Sequence, residues 1–264
     1  MPELPEVETI RLKLIPLIVS KTVKDVDILT PKQFIGNKQI IIGKKIINIQ
    51  RTGKVFNIFL NNKKILNIHL KMTGQLLIKK DKTTPDKNTR IIVEFTDNTL
   101  LFFNDLRKFG WFKVTSIPEG PKGIDILSNK FTLKFLIDLV NPTNKPIKLL
   151  LMDQEKISGL GNIYANDSLF LAKIHPLRIA KSLKKLEIKN LFEAINTIIK
   201  QALKNQGSTG ADNAYVLPNG QKGNHQKYFQ VYQREKLPCL ICKIPIKRIK
   251  QAGRSSFFCP VCQK

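Results

Sequence analysis

Residues 2–6 read Pro-Glu-Leu-Pro-Glu. If Met1 is removed, Pro2 becomes the terminus and carries a secondary α-amine. Terminal amines titrate near pH 7.7–8, so a useful fraction is neutral and nucleophilic near neutrality. Attack on an aldehyde-like carbon gives an iminium, the Schiff-base form of covalent catalysis. Glu3 and Glu6 lie within a turn of that amine, close enough to work as acid or base. The same stretch also reads as an ordinary helix start, with Pro5 near the first helical position and Glu6 and Glu8 facing the positive end of the dipole.

A second constellation closes the chain. Cys239, Cys242, Cys259 and Cys262 form two C-x2-C knuckles separated by sixteen residues. Two thiolates in such a knuckle can grip one ion, and two knuckles complete a tetrahedral zinc site. Two disulfides are the alternative, which the lack of a secretion signal and of any other cysteine argues against. Residues 244–249 and 254–258 read as strands of a hairpin, with Gly253 in its turn. So small a unit has few apolar residues, so a metal there is structural and drives folding. Four thiolates leave no open coordination position, which excludes a catalytic metal. Lys247, Arg248, Lys250 and Arg254 make the hairpin cationic, the character of a DNA-contacting finger.

The chain as a whole is strongly basic, with 45 Lys+Arg against 20 Asp+Glu and a net charge of +25. That excess calls for a polyanion, and nucleic acid is the commonest. An anionic membrane surface is the other candidate, but no apolar run approaches the roughly 18 residues of a span and no signal-peptide core is present. Heavy use of Ile, Lys and Asn is also what an AT-rich genome produces.

The elements that must hold these groups can be read coarsely. A helix spans about residues 6–19. Short β-prone runs follow at 45–50, 55–60, 65–69, 75–79, 91–95 and 99–103, without helices between them, which points to a sandwich or barrel. Residues 118–123 (Pro-Glu-Gly-Pro-Lys-Gly) read as a linker. Helical patterns then occupy about 131–140, 146–155, 162–171 and 182–205. Residues 207–227 have loop composition. The Gly-Leu-Gly-Asn turn at 159–162 allows close backbone approach and offers free amides at a helix start, suited to a phosphate, although a packing turn is an equal reading.

Five segments together resemble the formamidopyrimidine-DNA glycosylase family: Pro-Glu-Leu-Pro-Glu-Val-Glu-Thr at 2–9, His-Leu-Lys-Met-Thr-Gly at 69–74, Arg-Lys-Phe-Gly at 107–110, Gly-Leu-Gly-Asn-Ile-Tyr-Ala-Asn-Asp at 159–167 and Gly-Arg-Ser-Ser-Phe-Phe-Cys-Pro-Val-Cys-Gln at 253–263. They run in the family's order along the whole chain. Leu4 favours this branch over the sister family, endonuclease VIII, which usually has glycine there and acts on oxidised pyrimidines.

The resemblance implies an α+β multidomain fold: an N-terminal β-sandwich with a leading helix (1–120), a helix–two-turn–helix domain (121–230) carrying a lesion-capping loop at 207–227, and a β-hairpin zinc finger (231–264). It implies one structural zinc, and as partner a duplex DNA with oxidised purines or abasic sites, bound between the lobes by a monomer. The implied reaction is base excision followed by β,δ-elimination, with the target nucleotide flipped out of the stack. Pro2, Glu3, Glu6, Lys54 and Arg254 form the implied catalytic set: Pro2 the nucleophile, Glu3 the acid that helps open the sugar, Lys54 a contact to the phosphate at the lesion. Met72, Arg107 and Phe109 are implied to fill the gap left by the flipped base. His69, Lys148, Asn162 and Arg254 are implied to grip phosphates, with Tyr232 a further backbone contact. A cytoplasmic, bacterial, nucleoid-associated protein is expected.

Two departures stand out. Leu106 occupies a position where the family pattern has proline, and residues 207–227 match the family's loop poorly. The binding-only alternative, a zinc-finger protein that recognises distorted duplex without chemistry, would not need Pro2, Glu3 and Lys54 together.

Overall fold

The computed structural model describes residues 2–80, 83–210 and 213–264. The chain divides into two compact units: 1–120 with 205–226, and 121–204 with 227–264.

Among the described residues of the first unit, α1 (Leu4–Ile18) leads into nine strands: β1 (Val23–Ile28), β2 (Phe34–Ile35), β3 (Ile46–Thr52), β4 (Val55–Leu60), β5 (Ile65–His69), β6 (Gly74–Lys79), β7 (Thr89–Phe95), β8 (Leu100–Asp105) and β9 (Trp111–Thr115). They form a five-stranded sheet, β2-β9-β5-β4-β3, and a four-stranded sheet, β1-β7-β8-β6. Burial alternates strictly along β7, as expected of a strand with one face on a core. β4 is buried along nearly its whole length because it lies inside its sheet between β5 and β3, with α1 against it. Val7, Ile10, Leu14 and Ile18, at helical spacing, enter the same core as Ile49, Phe56 and Ile68 of one sheet and Leu76, Val93 and Phe103 of the other. Glu8 ties the helix to the sheet, pairing with Arg11 at 2.7 Å and with Arg51 of β3 at 3.0 Å.

The sequence pattern does not announce β1. Its register shifts between Val23 and Asp25, so apolar alternation is broken where the strand begins.

Residues 205–226 pack with this first unit, whereas the sequence reading assigned the loop 207–227 to the helical domain. The physical reason is visible in the contacts. Tyr215 and Leu217 are buried in the sandwich core, and the Ile78 amide donates to Pro218 O at 2.8 Å. Ala211 and Asp212, within the expected loop 207–227, lie outside the described residues.

The second unit holds β10 (Ile124–Asp125), α2 (Leu133–Val140), α3 (Ile147–Leu151), β11 (Ile157–Ser158), α4 (Asn162–Leu171), α5 (Lys185–Lys204) and the hairpin β12 (Lys247–Gln251) with β13 (Arg254–Phe258). Thr132 caps α2 by accepting the Phe135 amide at 3.1 Å. Along α5 the buried residues Ile188, Leu191, Ile195, Ile198 and Ala202 recur every three or four positions, which lays one stripe against the unit. α4 has no such stripe, since Ile163–Phe170 are buried all round it. Among the described residues no helix is long and apolar enough to cross a membrane.

Candidate active site

α1 begins at Leu4, two residues earlier than the periodicity suggests, with Glu3 as its N-cap. Pro2 and Glu3 are therefore fixed at a helix start and are both buried. Glu6 Oε2 accepts the Glu3 amide at 2.9 Å, the reciprocal half of a capping box. Its other oxygen, Oε1, accepts from Ser208 N at 2.8 Å and Ser208 Oγ at 3.1 Å. Two carboxylates, each only 1% exposed, thus stand beside Pro2 in a chain with a large cationic excess. Met1, whose removal the amine chemistry requires, lies outside the described residues.

Lys54 occupies a two-residue turn between paired Thr52 and Val55, with Gly53 at φ +58° supplying the left-handed geometry. Val55 pairs in turn with His69. Burial, and then the charges of Lys71 and Lys54, push His69 down to about 3, so its imidazole is neutral at physiological pH. Nδ1 accepts the Lys71 amide at 2.9 Å, which places the ring proton on Nε2. His69 is thereby set as a neutral donor beside two cations, a combination suited to a phosphate oxygen.

Met72 and the segment 106–110 are joined by Thr73, whose hydroxyl donates to Asp105 Oδ1 at 2.5 Å and accepts the Arg107 amide at 3.0 Å. The fully buried Asp105 also accepts from Gly110 N at 2.8 Å and Gln33 Nε2 at 3.0 Å. From this base Arg107 and Phe109 project outward, the guanidinium 4.8 Å from the ring centroid and the ring 54% exposed. An exposed aromatic under a guanidinium offers both a stacking face and a hydrogen-bonding edge to bases. Leu106 beside them is 66% exposed and adds a second apolar side chain to that of Phe109. Next to it a polar cavity of about 150 Å3 is lined in part by Thr73, Gln75, Asn104 and Asn213.

In the second unit, Asn162 is the first residue of α4, after the Gly161 cap. Gly159 adopts φ +99°, and Gln154 pins the turn by accepting the Gly159 amide at 3.0 Å and donating to Leu160 O at 2.6 Å. Arg254 is exposed at the head of β13, paired with Gln251 across the turn Ala252-Gly253.

Two expected phosphate contacts stand differently. Lys148 is 1% exposed, with Nζ donating to Ser255 O at 2.9 Å and Ser256 Oγ at 2.7 Å. Burial and these bonds make it an internal brace of β13 rather than a surface grip, and a phosphate could reach it only by opening the unit. Tyr232 is half-buried between Phe229 and Phe257, with ring centroids at 5.2 and 5.4 Å, and its amide donates to Asp167 Oδ1 at 3.0 Å. Packing is the role that geometry defines for it.

Asn166 and Asp167 close the Gly-Leu-Gly-Asn-Ile-Tyr-Ala-Asn-Asp segment, and the sequence pattern alone assigns them no role. Asn166 Oδ1 accepts the Phe257 amide at 2.7 Å, and Asp167 accepts the amides of Gln230, Val231 and Tyr232 at 3.0–3.1 Å. Both are polar residues in an otherwise wholly buried helix, a signal that would have marked them. Asp105 carried a similar signal, being the acid that ends an apolar strand.

The thiol sulfurs of Cys239, Cys242, Cys259 and Cys262 all lie within 4.8 Å of one another. Cys239–Cys262 and Cys242–Cys259 are 3.9 and 3.4 Å apart. Those separations fit a tetrahedral zinc with bonds near 2.3 Å, and the four residues would hold one structural ion.

A buried acid pair at a proline-headed helix, on a β-sandwich continued by a helical unit and a four-cysteine hairpin, defines the zinc-finger DNA glycosylases. Three family models match in order: the formamidopyrimidine-DNA glycosylase N-terminal domain over residues 1–112, its H2TH domain over 122–213, and the zinc finger found in FPG and IleRS over 236–264. The chain belongs to the formamidopyrimidine-DNA glycosylase family. It is 39% identical to the formamidopyrimidine-DNA glycosylase of Pelotomaculum thermopropionicum, covering 100% of this chain and 99% of the relative. The enzyme of Carboxydothermus hydrogenoformans is 38% identical with both chains fully covered. The crystal structure of MutM (FPG) from Thermus thermophilus superposes with a TM-score of 0.90 at 35% identity, covering 99% of this chain and 98% of that one. Lactococcus lactis Fpg in complex with DNA containing an abasic site superposes with a TM-score of 0.91 at 30% identity, over the full length of both.

Proposed function

We propose that this chain is a bifunctional DNA glycosylase and abasic-site lyase that removes oxidised purines, such as 8-oxoguanine and formamidopyrimidines, in base excision repair. The observation that carries the reading is the pair of buried carboxylates, Glu3 and Glu6, fixed beside Pro2 at the start of α1. Family membership and the solved complexes of relatives with damaged DNA support the substrate class. A base cannot be reached within the stack, so the nucleotide is flipped out at a cost of a few kcal/mol. Arg107 and Phe109, with Met72, occupy the vacated space and offset that cost.

Chemistry then follows from the amine. With Met1 removed, the Pro2 nitrogen lone pair attacks the sugar C1′ and the base leaves with the electrons of the glycosidic bond. The attacking nitrogen gives up its N–H proton, and Glu3 supplies a proton to the ring oxygen as the C1′–O4′ bond breaks, giving an open-chain C1′ iminium. The iminium acidifies the C2′ proton. Its removal expels the 3′ phosphate by β-elimination, and δ-elimination expels the 5′ phosphate. Lys54 and His69 hold the phosphate at the lesion, and Asn162 and Arg254 hold flanking phosphates. One zinc on the four cysteines keeps the hairpin folded and takes no part in bond making. The protein works in the cytoplasm, at the nucleoid.

The test is borohydride trapping on a duplex with 8-oxoguanine opposite cytosine, with mass spectrometry of the adduct. The expected result is one reduced adduct on Pro2. An adduct elsewhere, or none on either this duplex or an abasic one, would overturn the assignment.

A further inference from the structure

Glu6 needs only one oxygen to cap α1, and Oε2 does that for the Glu3 amide at 2.9 Å. Oε1 is committed instead to Ser208, accepting from N at 2.8 Å and Oγ at 3.1 Å. The two residues are 202 positions apart in the chain. The approach is close enough to dictate the preceding residue: Gly207 sits at φ +72°, and a Cβ there would stand 2.9 Å from Glu6 Cγ and Oε1.

The root of this loop is built rather than loose. The buried Thr209 donates through Oγ1 to Tyr215 O at 2.9 Å and accepts the Gly223 amide at 2.9 Å. Thr209 N donates to Gln226 Oε1 at 3.0 Å, and His225 N donates to Gly207 O at 2.9 Å. Tyr215 closes the root, its hydroxyl donating to Gln206 O at 2.8 Å. Burial, and then the charge on Glu6, hold that phenol above its ordinary range, so it stays a donor.

We infer that Ser208 is a positioning residue for the N-terminal amine: its N–H and hydroxyl fix Glu6, whose other oxygen fixes Glu3, so the root of the 205–226 segment and the nucleophile are held by one carboxylate. The inference rests on the reading of Pro2 as nucleophile. It assigns the loop root a duty toward the sugar chemistry that is independent of which base the loop covers. Placement of a terminal nucleophile to within a fraction of an ångström has a direct effect on rate.

The test compares the wild-type enzyme with Ser208→Ala, Ser208→Cys and Ser208→Thr in two single-turnover reactions: release of 8-oxoguanine from duplex, and borohydride trapping on an abasic-site duplex. Since the backbone bond to Glu6 remains, loss of the hydroxyl bond to a charged acceptor is expected to slow both reactions about tenfold with Ala. Cysteine, nearly isosteric and a weak donor, should behave like alanine, and threonine should recover to within about threefold, because it keeps the hydroxyl. Duplex affinity should stay within about twofold for all, since no phosphate contact is touched. If alanine lowers the melting temperature markedly, the cysteine and threonine pair decides. Wild-type rates for both alanine and cysteine overturn the inference. So does slowing of base release alone with normal abasic trapping, which would place the action of Ser208 on the base. Failure of the underlying reading is separate: the wild-type enzyme itself would then give no Pro2 adduct.

Discussion

Lys148 donates to Ser256 Oγ at 2.7 Å inside the second unit, fastening α3 to the middle of the finger hairpin. Ser256 passes the bond on to Gln251 Oε1 at 2.9 Å, so one ammonium secures both strands of the hairpin. Lys148→Met leaves a buried hydroxyl and the Ser255 carbonyl without this donor. Hydrogen bonds to charged groups are worth about 1.5–3 kcal/mol each, so losing both is expected to cost about 3–6 kcal/mol of stability by denaturant or thermal unfolding. The slope of log affinity against log salt should not change. A slope smaller by about one would instead mark Lys148 as a phosphate contact.

His69 makes a pH prediction. Its folded value is about 3, against roughly 6.5 in the unfolded chain. The folded state therefore refuses a proton that the unfolded state accepts, and stability is lost as pH falls. The contribution is fully present above about pH 6.5 and declines through the window toward pH 3. At pH 5 it has fallen by about 2 kcal/mol, at roughly 1.4 kcal/mol per unit. Between pH 7.5 and 5 the wild-type enzyme should lose about 2 kcal/mol more stability than His69→Gln, and the buried His225, which burial also holds low at about 4, contributes equally to both. Imidazole NMR of the free enzyme should show no midpoint for His69 above pH 5.

Gly110 supports the projecting Arg107–Phe109 pair by standing where no side chain fits. A Cβ there would lie 2.5 Å from Phe103 Cζ and 2.9 Å from His69 O. Gly110→Ala must displace either the core ring or the loop, at about 1–3 kcal/mol for overpacking. Excision from duplex should fall more than about tenfold if Phe109 moves by an ångström, since misplacement of that size costs up to about a hundredfold. Cleavage of an abasic site should suffer less, because a duplex lacking the base costs less to open. Equal losses on the two substrates would disconnect Gly110 from the gap-filling role.

How much of this was legible in the residues depends on the range of the interactions. Strands Val55–Leu60 and Ile65–His69 were placed to the residue, because their apolar runs end at turn signals. The cysteine knuckles were equally clear, since ligand spacing is local. The internal bonds of Lys148 were hidden for the opposite reason: among many lysines, only contacts with β13 distinguish a buried, hydrogen-bonded ammonium from a surface charge. Ser208 was passed over because its partner lies at the other end of the chain, and no local pattern reports a contact of that separation. The placement of 205–226 with the sandwich was hidden likewise, as it depends on Tyr215 and Leu217 finding a core built by residues 7–112.

The zinc site sets the last prediction. The finger's own apolar cluster is small: Val231, Ile246 and Phe257 gather around Cys239 and Cys259, with Phe170 of α4 beneath. Without metal, four thiols crowded within 4.8 Å hold nothing together, so hairpin folding is coupled to zinc. Metal analysis should give one zinc per chain. A chelator strong enough to remove it should melt β12 and β13, release Arg254 from its position, and abolish duplex binding and excision while α1 and the sandwich remain folded. Added zinc should restore both. Hydrogen exchange separates the outcomes: protection should vanish at Lys247–Phe258 and persist at Val55–His69. Full duplex affinity in the metal-free protein would remove the finger from the DNA-binding surface and leave the charge of the remaining chain to account for it.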